Sequence, residues 1–206
     1  MGGIKLKLGE DEATEIDLFS DDYLAKLDKI KLPHTKFKLL QKLLQQAIDK
    51  MKRINKVAGT DFSKRLEFIV QKYNERKEDD VLRSEVLDDF TNEIMDLYFA
   101  LRKENEALQD LGIDIEEKAF YDILKMLAFK YDFSYPEDKL LHLAKLVKAV
   151  VDDKSKYADW SKREDIKAEL KVDLIILLAE NDYPPVDRDE VYKEIFEQAE
   201  NFKKYR

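Results

Sequence analysis

The segment from Asp159 to Pro185 constrains the fold most, because it predicts one long helix that is too apolar to lie outside a protein core. Apolar side chains recur along it at the spacing of one helix face: Ile166, Leu170, Leu174, Leu177 and Leu178. Ser161 followed by Glu164 is the pattern of a capping box, which places the helix start at Ser161. Asn181 is expected to leave the helix in a left-handed conformation, before Pro184 stops it.

Within this helix, the stretch Val172–Ala179 is apolar on nearly all sides. A helix that is apolar all round is normally buried, so contacts from more than one side are expected there. The sequence therefore predicts that this helix is the centre of the C-terminal half of the chain.

The rest of the chain also predicts helices, because it contains few residues that break them. Among 206 residues there are only five Gly and four Pro, while 40% of the residues are charged, well above the usual quarter. Many charges with few turn residues favour long solvated helices over a β-rich fold. We predict an all-α fold, an irregular multi-helix bundle of about eight helices with short connections.

The domain organisation is predicted from a change in helix character near Gly112, where long charged helices give way to shorter, more apolar ones. Residues 1–34 are expected to be an N-terminal extension with one short helix after Ser20 and little structure before residue 15. Residues 35–112 are predicted to form a long-helix subdomain. Residues 113–206 are predicted to form a C-terminal helical subdomain, and the sequence is compatible with the two packing together.

Three helix boundaries within these subdomains are predicted from local signals. A long helix, His34–Val57, is expected to end at Gly59, with Thr60 or Asp61 capping the next one. Gly112 has the position of a C-terminal glycine cap. Asp114 and Glu117 then have the spacing of a second capping box, which predicts a helix start.

No pattern for catalysis or for cofactor binding is present in the sequence. The phosphate-binding GxxxxGK[ST] and GxGxxG loops and the GxSxG, HExxH and DxDxDG motifs are all missing. There is no Cys, and the two His, His34 and His142, lie far apart with no ligand pattern around them. We therefore expect neither enzymatic activity nor a cofactor or metal site in this chain.

Localisation is predicted from cysteine usage and from hydropathy. A chain without Cys suits a reducing compartment. No apolar run approaches the roughly 20 residues that span a bilayer. The expected location is the cytoplasm, without membrane association.

A basic segment precedes an acidic one. Nine Lys or Arg stand against one acid between Lys29 and Lys56, whereas 78–117 carries fourteen acids and three bases. The basic helix either covers the acidic segment, docks an acidic protein, or tracks DNA phosphates, which requires cations but no particular motif. The candidate DNA-binding residues are Lys36, Lys38, Lys42, Lys50, Lys52, Arg53 and Lys56.

Aromatic residues near three predicted turns are candidate partner-binding residues, because aromatic side chains are common at the centre of protein interfaces. These residues are Tyr131, Tyr135, Tyr157, Trp160 and Tyr183. Each of them is equally compatible with a place in the core.

Ten short stretches between residue 35 and the end of the chain resemble a known family through their order and spacing, although no single one is specific. They are RIN at 53–55, DFSKRLE at 61–67, YNER at 73–76, AL at 107–108, LG at 111–112, EKAFYDIL at 117–124, YDFSYPEDK at 131–139, DWSKREDIKAELK at 159–171, YPP at 183–185 and QAENFK at 198–203. Together they resemble the C-terminal helical region of the R (restriction, or motor) subunit of type I restriction enzymes.

The resemblance implies a non-catalytic part of a larger machine. Such an R subunit carries a nuclease domain and two ATP-using motor domains, and it works with a methyltransferase subunit and a specificity subunit. Positions matching the nuclease and ATPase motifs are missing here, so ATP and Mg²⁺ are implied only for the full-length subunit. The implied function is docking of the motor subunit onto the methyltransferase core; the alternative is a DNA-backbone-binding module that uses the basic helix 36–56.

Overall fold

The computed structural model describes residues 5–7, 15–76, 84–156, 159–184 and 189–205, which fold mainly into α-helices. The helices are α1 (Asp21–Asp28), α2 (Pro33–Ile54), α3 (Lys56–Asn74), α4 (Ser84–Leu111), α5 (Ile115–Lys130), α6 (Glu137–Ser155), α7 (Glu164–Glu180) and α8 (Asp189–Tyr205). A 3-10 turn, Trp160–Lys162, precedes α7. The predicted all-α fold of about eight helices is confirmed.

The one departure from helical structure in the described residues lies near the N-terminus. Two three-residue strands, β1 (Lys5–Lys7) and β2 (Glu15–Asp17), pair antiparallel with Leu6 opposite Ile16. The expectation of little structure before residue 15 is therefore wrong for residues 5–7.

The chain divides into two compact units, and the division is not a single cut in the sequence. Unit 1 comprises residues 1–51 and 59–107, and unit 2 comprises residues 52–58 and 108–206. The corner between α2 and α3 thus belongs to unit 2. The subdomain boundaries predicted from the sequence, 35–112 and 113–206, stay a prediction.

Unit 1 is built around aromatic residues from α2, α3 and α4. The rings of Phe37 and Tyr73 stack with their centroids 3.9 Å apart, and Phe90 meets Tyr73 edge-on at 5.5 Å. The buried hydroxyl of Tyr98 donates a hydrogen bond to the carbonyl of Leu18 at 2.8 Å. Such contacts tie the segment before α1 to α4.

The helix start after Ser20 is confirmed. The Ser20 hydroxyl accepts a hydrogen bond from the backbone N–H of Tyr23 at 3.2 Å. This bond satisfies one of the N–H groups that the first turn of a helix leaves without an intrahelical partner.

The predicted break at Gly59 is wrong, since Gly59 lies buried inside α3. The non-helical residue is Asn55, whose side-chain Oδ1 accepts the backbone N–H of Ala58 at 3.1 Å and so caps α3. Neither Thr60 nor Asp61 is a cap, because both are inside the helix.

Unit 2 supplies the reason why the break falls at Asn55. The amide of Gln198, on α8, donates to the carbonyl of Ile54 at 2.7 Å and accepts the N–H of Lys56 at 3.1 Å. Asn55 itself donates to Asp122 Oδ2 at 2.6 Å. Backbone groups freed by the break therefore find partners more than 140 positions away in the sequence, which no local signal reveals.

The cap signals around α5 are confirmed. Gly112 has a φ of +62°, and Asp114 and Glu117 form the reciprocal hydrogen bonds of a capping box. Gly112 therefore ends α4, and Asp114, two positions later, begins α5.

The predicted start of α7 is wrong. Ser161 belongs to the 3-10 turn, and α7 begins at Glu164 after Arg163, whose extended backbone (φ −97°, ψ 108°) makes it the cap residue. Arg163 makes no side-chain capping bond. Trp160, the first residue of the 3-10 turn, is buried in the core of unit 2, and its burial keeps this turn separate from α7.

The predicted end of α7 is displaced by one residue. Asp182, with a φ of +54°, takes the left-handed conformation expected of Asn181. The N–H of Asp182 bonds to the carbonyl of Ala179, and that of Tyr183 bonds to the carbonyl of Leu178, which is a Schellman motif. Asn181 instead keeps a negative φ of −100°, and its side-chain amide donates to the carbonyl of Leu177 at 2.8 Å.

Candidate partner-binding surface

α7 presents apolar side chains on two opposite sides. Leu170, Leu174 and Leu178 are fully buried in the core of unit 2. On the opposite side, Val172 is 53% exposed and Ile176 is 50% exposed. Contacts from more than one side were expected for Val172–Ala179, but the described residues cover only one of them.

The uncovered residues form one continuous line along the helix. Ala168, Val172, Ile175, Ile176 and Ala179 are all exposed and follow each other at the i, i+4, i+7, i+8, i+11 spacing of a helix face. We call these five residues the α7 stripe.

The α7 stripe differs from the other exposed apolar residues by being contiguous. Single exposed apolar side chains are normal on protein surfaces, and Leu32, Phe68 and Phe129 are of that kind. A contiguous apolar patch with a polar rim is typical of an interaction site. Complete burial would stabilise an interface by about 1 kcal/mol for each half-exposed Val or Ile.

One edge of the stripe is acidic. Glu169, Asp173 and Glu180 follow the stripe along the same side of the helix, and we call them the acidic edge. Lys154, on α6, bonds to Asp173 at 3.1 Å and to Glu169 at 3.2 Å. Both bonds raise the pKa of the Lys154 ammonium, and the bond to Asp173 is the larger cause.

The opposite edge of the stripe is different. There the Nζ of Lys171 lies 2.6 Å from Oδ1 of Asp189, on α8. The two edges therefore differ in charge, and an approaching partner meets an asymmetric surface.

Two of the aromatic candidates lie in the core of unit 2. Trp160 is fully buried, and Tyr183 is 1% exposed with its hydroxyl donating to the carbonyl of Leu124 at 2.7 Å. Burial raises the pKa of Tyr183. Both residues therefore take the place in the core that the sequence left open, and the Schellman motif at Asp182 explains the position of Tyr183, because its C″ residue packs back onto the helix.

The remaining aromatic candidates are less deeply placed. Tyr135 is half-buried and donates its hydroxyl to the carbonyl of Asn181 at 2.6 Å. Tyr131 is also half-buried, and its hydroxyl donates to Glu190. Tyr157 lies outside the described residues. A role for these three in partner binding stays a prediction.

The basic candidates in unit 1 lie on α2 and differ in their surroundings. Lys36 bonds to Asp28 at 3.2 Å, and the Nζ of Lys38 lies 5.0 Å from the centre of the Tyr73 ring. Lys42 and Lys50 are exposed. Lys38 and Lys42, four positions apart, share the side of α2 opposite its buried residues.

The basic candidates in unit 2 are those of the α2–α3 corner. Lys56 forms ion pairs with Glu197 and, at 3.6 Å, with Glu194; the bond to Glu197 is the main reason why its pKa is raised. Lys52 is half-buried, and Arg53 is exposed. The seven basic candidates are therefore divided between the two units, and Lys56 helps to hold the corner on α8.

No group of His, Asp and Glu in the described part of the chain has the arrangement of a metal site. None of the helices in these residues has the length and apolar character needed to span a membrane. The expectation that the chain needs no cofactor stays an expectation.

The α7 stripe was missed among the residues predicted from the sequence. The signal was present in the apolar run Val172–Ala179, whose residues at 172, 176 and 179 are out of phase with the line Leu170, Leu174 and Leu178. A helix with apolar lines on two sides is expected to pack against neighbours on both sides. The burial of individual residues shows which of the two lines packs against the described part of the chain.

Comparison with known proteins gives two matches. The model of a family described as "Type I restriction enzyme HindI endonuclease subunit-like, C-terminal" matches residues 6–205. Among curated proteins, one named as a type I restriction enzyme MjaIXP endonuclease subunit, from Methanocaldococcus jannaschii, is 27% identical over 199 residues. That alignment covers 92% of this chain and 18% of the relative. No solved structure matches the chain.

Proposed function

Because the chain belongs to the family of C-terminal regions of HindI-like type I restriction enzyme endonuclease subunits, we propose that it is the assembly domain that docks such a subunit onto its methyltransferase core. The chain spans about a fifth of the length of the curated relative it matches (18%). ATP-dependent translocation and DNA cleavage, with their ATP and Mg²⁺, would then belong to other parts of the subunit.

The observation that carries the proposal is the α7 stripe. Its apolar side chains lie on the exposed side of α7, and the opposite side of the same helix is buried in the core of unit 2. A binding face on a helix that is fixed by its own core is held rigidly, so little conformational entropy is lost on binding. The partners proposed are the methyltransferase and specificity subunits of the same restriction complex.

The direct test is a titration of the chain with the methyltransferase–specificity complex, comparing wild type with Ile176→Asp. The substitution places a carboxylate in the middle of the stripe, and we expect binding to weaken by at least tenfold, since a central apolar contact often contributes more than about 1.4 kcal/mol. The fold should be unchanged, because Ile176 is half exposed.

Phe68→Asp is the matched control, because Phe68 is an apolar residue of unit 1 that is 63% exposed on a helix. It should bind the complex like wild type. Wild-type affinity for Ile176→Asp, or no binding by the wild-type chain at tens of micromolar, contradicts the proposal.

A DNA-backbone-binding module is the second candidate, favoured by the exposed side of α2 that carries Lys38 and Lys42. The double substitution Lys38→Glu, Lys42→Glu should weaken duplex DNA binding and flatten its salt dependence, since fewer counterions are released. Binding to the methyltransferase complex should be unchanged. Lys56 is unsuitable for this test, because its reversal would also break the ion pairs with α8. Salt-independent or absent DNA binding by the wild-type chain removes this candidate.

A further inference from the structure

We infer that the occupant of the α7 stripe is one amphipathic α-helix of the partner protein, with an apolar face and a row of Lys or Arg along one adjoining edge. This inference rests on the proposed docking function and specifies the chemistry of its partner. Three properties of the stripe lead to it, namely its dimensions, the shape of its residues and the charge of its edges.

The dimensions of the stripe fit a single helix. Ala168 and Ala179 are eleven positions apart, which corresponds to roughly 16 Å along a helix axis, or about three turns. The stripe is one side of a helix wide, with charged residues on both edges. A narrow apolar line of this length matches the line that a second helix buries when it packs along the first.

The residue types in the stripe also favour a helix. The two ends are alanines, which allow close approach of another backbone, while the centre carries the branched side chains Val172, Ile175 and Ile176. Ala168, Val172 and Ile176 form one ridge at i, i+4 spacing, and Ile175 and Ala179 form the next. Val and Ile have essentially one side-chain rotamer in a helix, so ordering them on binding costs little entropy.

The acidic edge specifies the charge of the partner. Glu169, Asp173 and Glu180 bring three carboxylates to one side of the stripe, and Lys154 bonds to Glu169 and Asp173. Glu180 is exposed at the end of the helix. A partner helix with Lys or Arg along the adjoining edge would complement this surface and be oriented by it.

A second copy of the chain packed antiparallel fits less well than a basic helix. Two copies of α7 packed antiparallel about a two-fold axis would bring the acidic edge of one opposite the acidic edge of the other. Like charges at such close positions are destabilising. A partner of opposite charge has no such repulsion.

The first experiment is photo-crosslinking of the assembled complex. The full chain carrying p-benzoylphenylalanine in place of Val172 is irradiated with the methyltransferase–specificity complex, and the crosslinked peptide is identified by mass spectrometry. We expect one helical segment of the partner that has an apolar face and Lys or Arg beside it. A strand, an irregular loop or an acidic helix overturns the inference, as does a complex that binds without crosslinking.

The second experiment tests the charge. Glu180→Lys should weaken binding to the same complex roughly fivefold at low salt and less at high salt, as for a partly exposed ion pair. Reversing the basic residue next to the crosslinked site on the partner should restore the affinity. Glu85→Lys, an exposed acid on α4, is the matched control and should bind like wild type.

These outcomes separate the inference from the proposed function. If Ile176→Asp abolishes binding while Glu180→Lys does not weaken it, docking through α7 stands and the basic helix is wrong. If the wild-type chain does not bind the complex, both are wrong. Crosslinks between two copies of the chain, together with a dimer in sedimentation, would mean that the α7 stripe binds a second copy and not a partner helix.

Discussion

At the scale of single residues, Gln198 holds together the most irregular part of the fold. Its side chain is fully buried and pairs with one backbone group on either side of Asn55. An amide can do this because it carries both a donor and an acceptor. A side chain without those groups would leave a carbonyl and an N–H of the corner without partners.

We therefore expect Gln198→Leu to lower the free energy of unfolding by about 2–3 kcal/mol, since a buried polar group without a partner costs about 1–3 kcal/mol. Denaturant unfolding followed by circular dichroism measures the change. Gln45→Leu is the control, because Gln45 bonds to Asp49 at 3.1 Å on an exposed part of α2. A Gln198→Leu protein as stable as the control would mean that the corner does not depend on this side chain.

Glu137 gives a prediction on pH. Its pKa is lowered, mainly because the hydroxyl of Tyr121 donates a hydrogen bond to it and also because Lys125 is close. A carboxyl whose pKa is lower in the folded state stabilises the fold above its unfolded pKa, here the ordinary value of 4.5, and loses this contribution as the pH falls through the folded pKa.

Glu137→Gln should accordingly be less stable than wild type at pH 7, and the difference should shrink as the pH falls below the ordinary value of 4.5. Unfolding curves from pH 7 to roughly pH 3 measure it, across the range where a lowered carboxyl pKa acts. In a Tyr121→Phe background, which lacks the bonding hydroxyl, the shrinkage should be smaller. A stability difference that stays constant with pH argues against this hydrogen bond.

At the scale of secondary-structure elements, α7 is the helix whose two sides do different things. Leu174 is fully buried in unit 2, whereas Val172, two positions earlier, is 53% exposed in the α7 stripe. Truncation of a buried Leu leaves a cavity that neighbouring side chains fill only in part. Truncation of a half-exposed Val leaves no cavity.

We expect Leu174→Ala to lower the free energy of unfolding by about 3 kcal/mol and Val172→Ala to change it by less than about 0.5 kcal/mol. In the docking titration, Val172→Ala should nevertheless weaken binding, because it removes apolar surface from the stripe. Chemical unfolding and the titration together measure the pair. Equal destabilisation by both substitutions would contradict the two-sided arrangement.

Element boundaries were predictable where the determining atoms lie within a few residues of the boundary. The hydroxyl of Ser20, the capping box at Asp114 and the left-handed Gly112 are of this kind, and all three are where the sequence predicts them. The break at Asn55 was not predictable in this way, because Gln198 and Asp122 determine it from distant parts of the chain. The capping-box spacing of Ser161 and Glu164 does not start the helix, because the neighbouring Trp160 is buried and keeps Ser161 in the 3-10 turn.

The candidate site was predictable only in part, for the same reason. The sequence indicates that Val172–Ala179 needs contacts on more than one side, but burial alone distinguishes Ile176 from Leu178. Trp160 and Tyr183 are aromatic residues near turns, and the sequence leaves open whether such residues face solvent or the core. A Schellman motif at Asp182, once recognised, assigns Tyr183 to the core.

At the scale of the whole molecule, unit 2 is discontinuous in sequence. Residues 52–58 belong to it together with residues 108–206, while residues 59–107 belong to unit 1. Ile54 and Val57 pack against the hydrophobic core of unit 2, and the polar bonds of Asn55 and Gln198 surround them. Compositional changes along a sequence report on neighbouring residues only, so they do not indicate which distant segments pack into the same unit.

The discontinuity of unit 2 has a consequence for the order of events on the ribosome. The N–H of Lys56 and its acceptor on Gln198 are 142 positions apart, so the corner is synthesised long before α8. At typical elongation rates of roughly 5–20 residues per second, on the order of ten seconds pass between the two. The α2–α3 corner therefore cannot reach its native hydrogen bonding while the nascent chain is short, and its turn is completed only after translation has passed through α8.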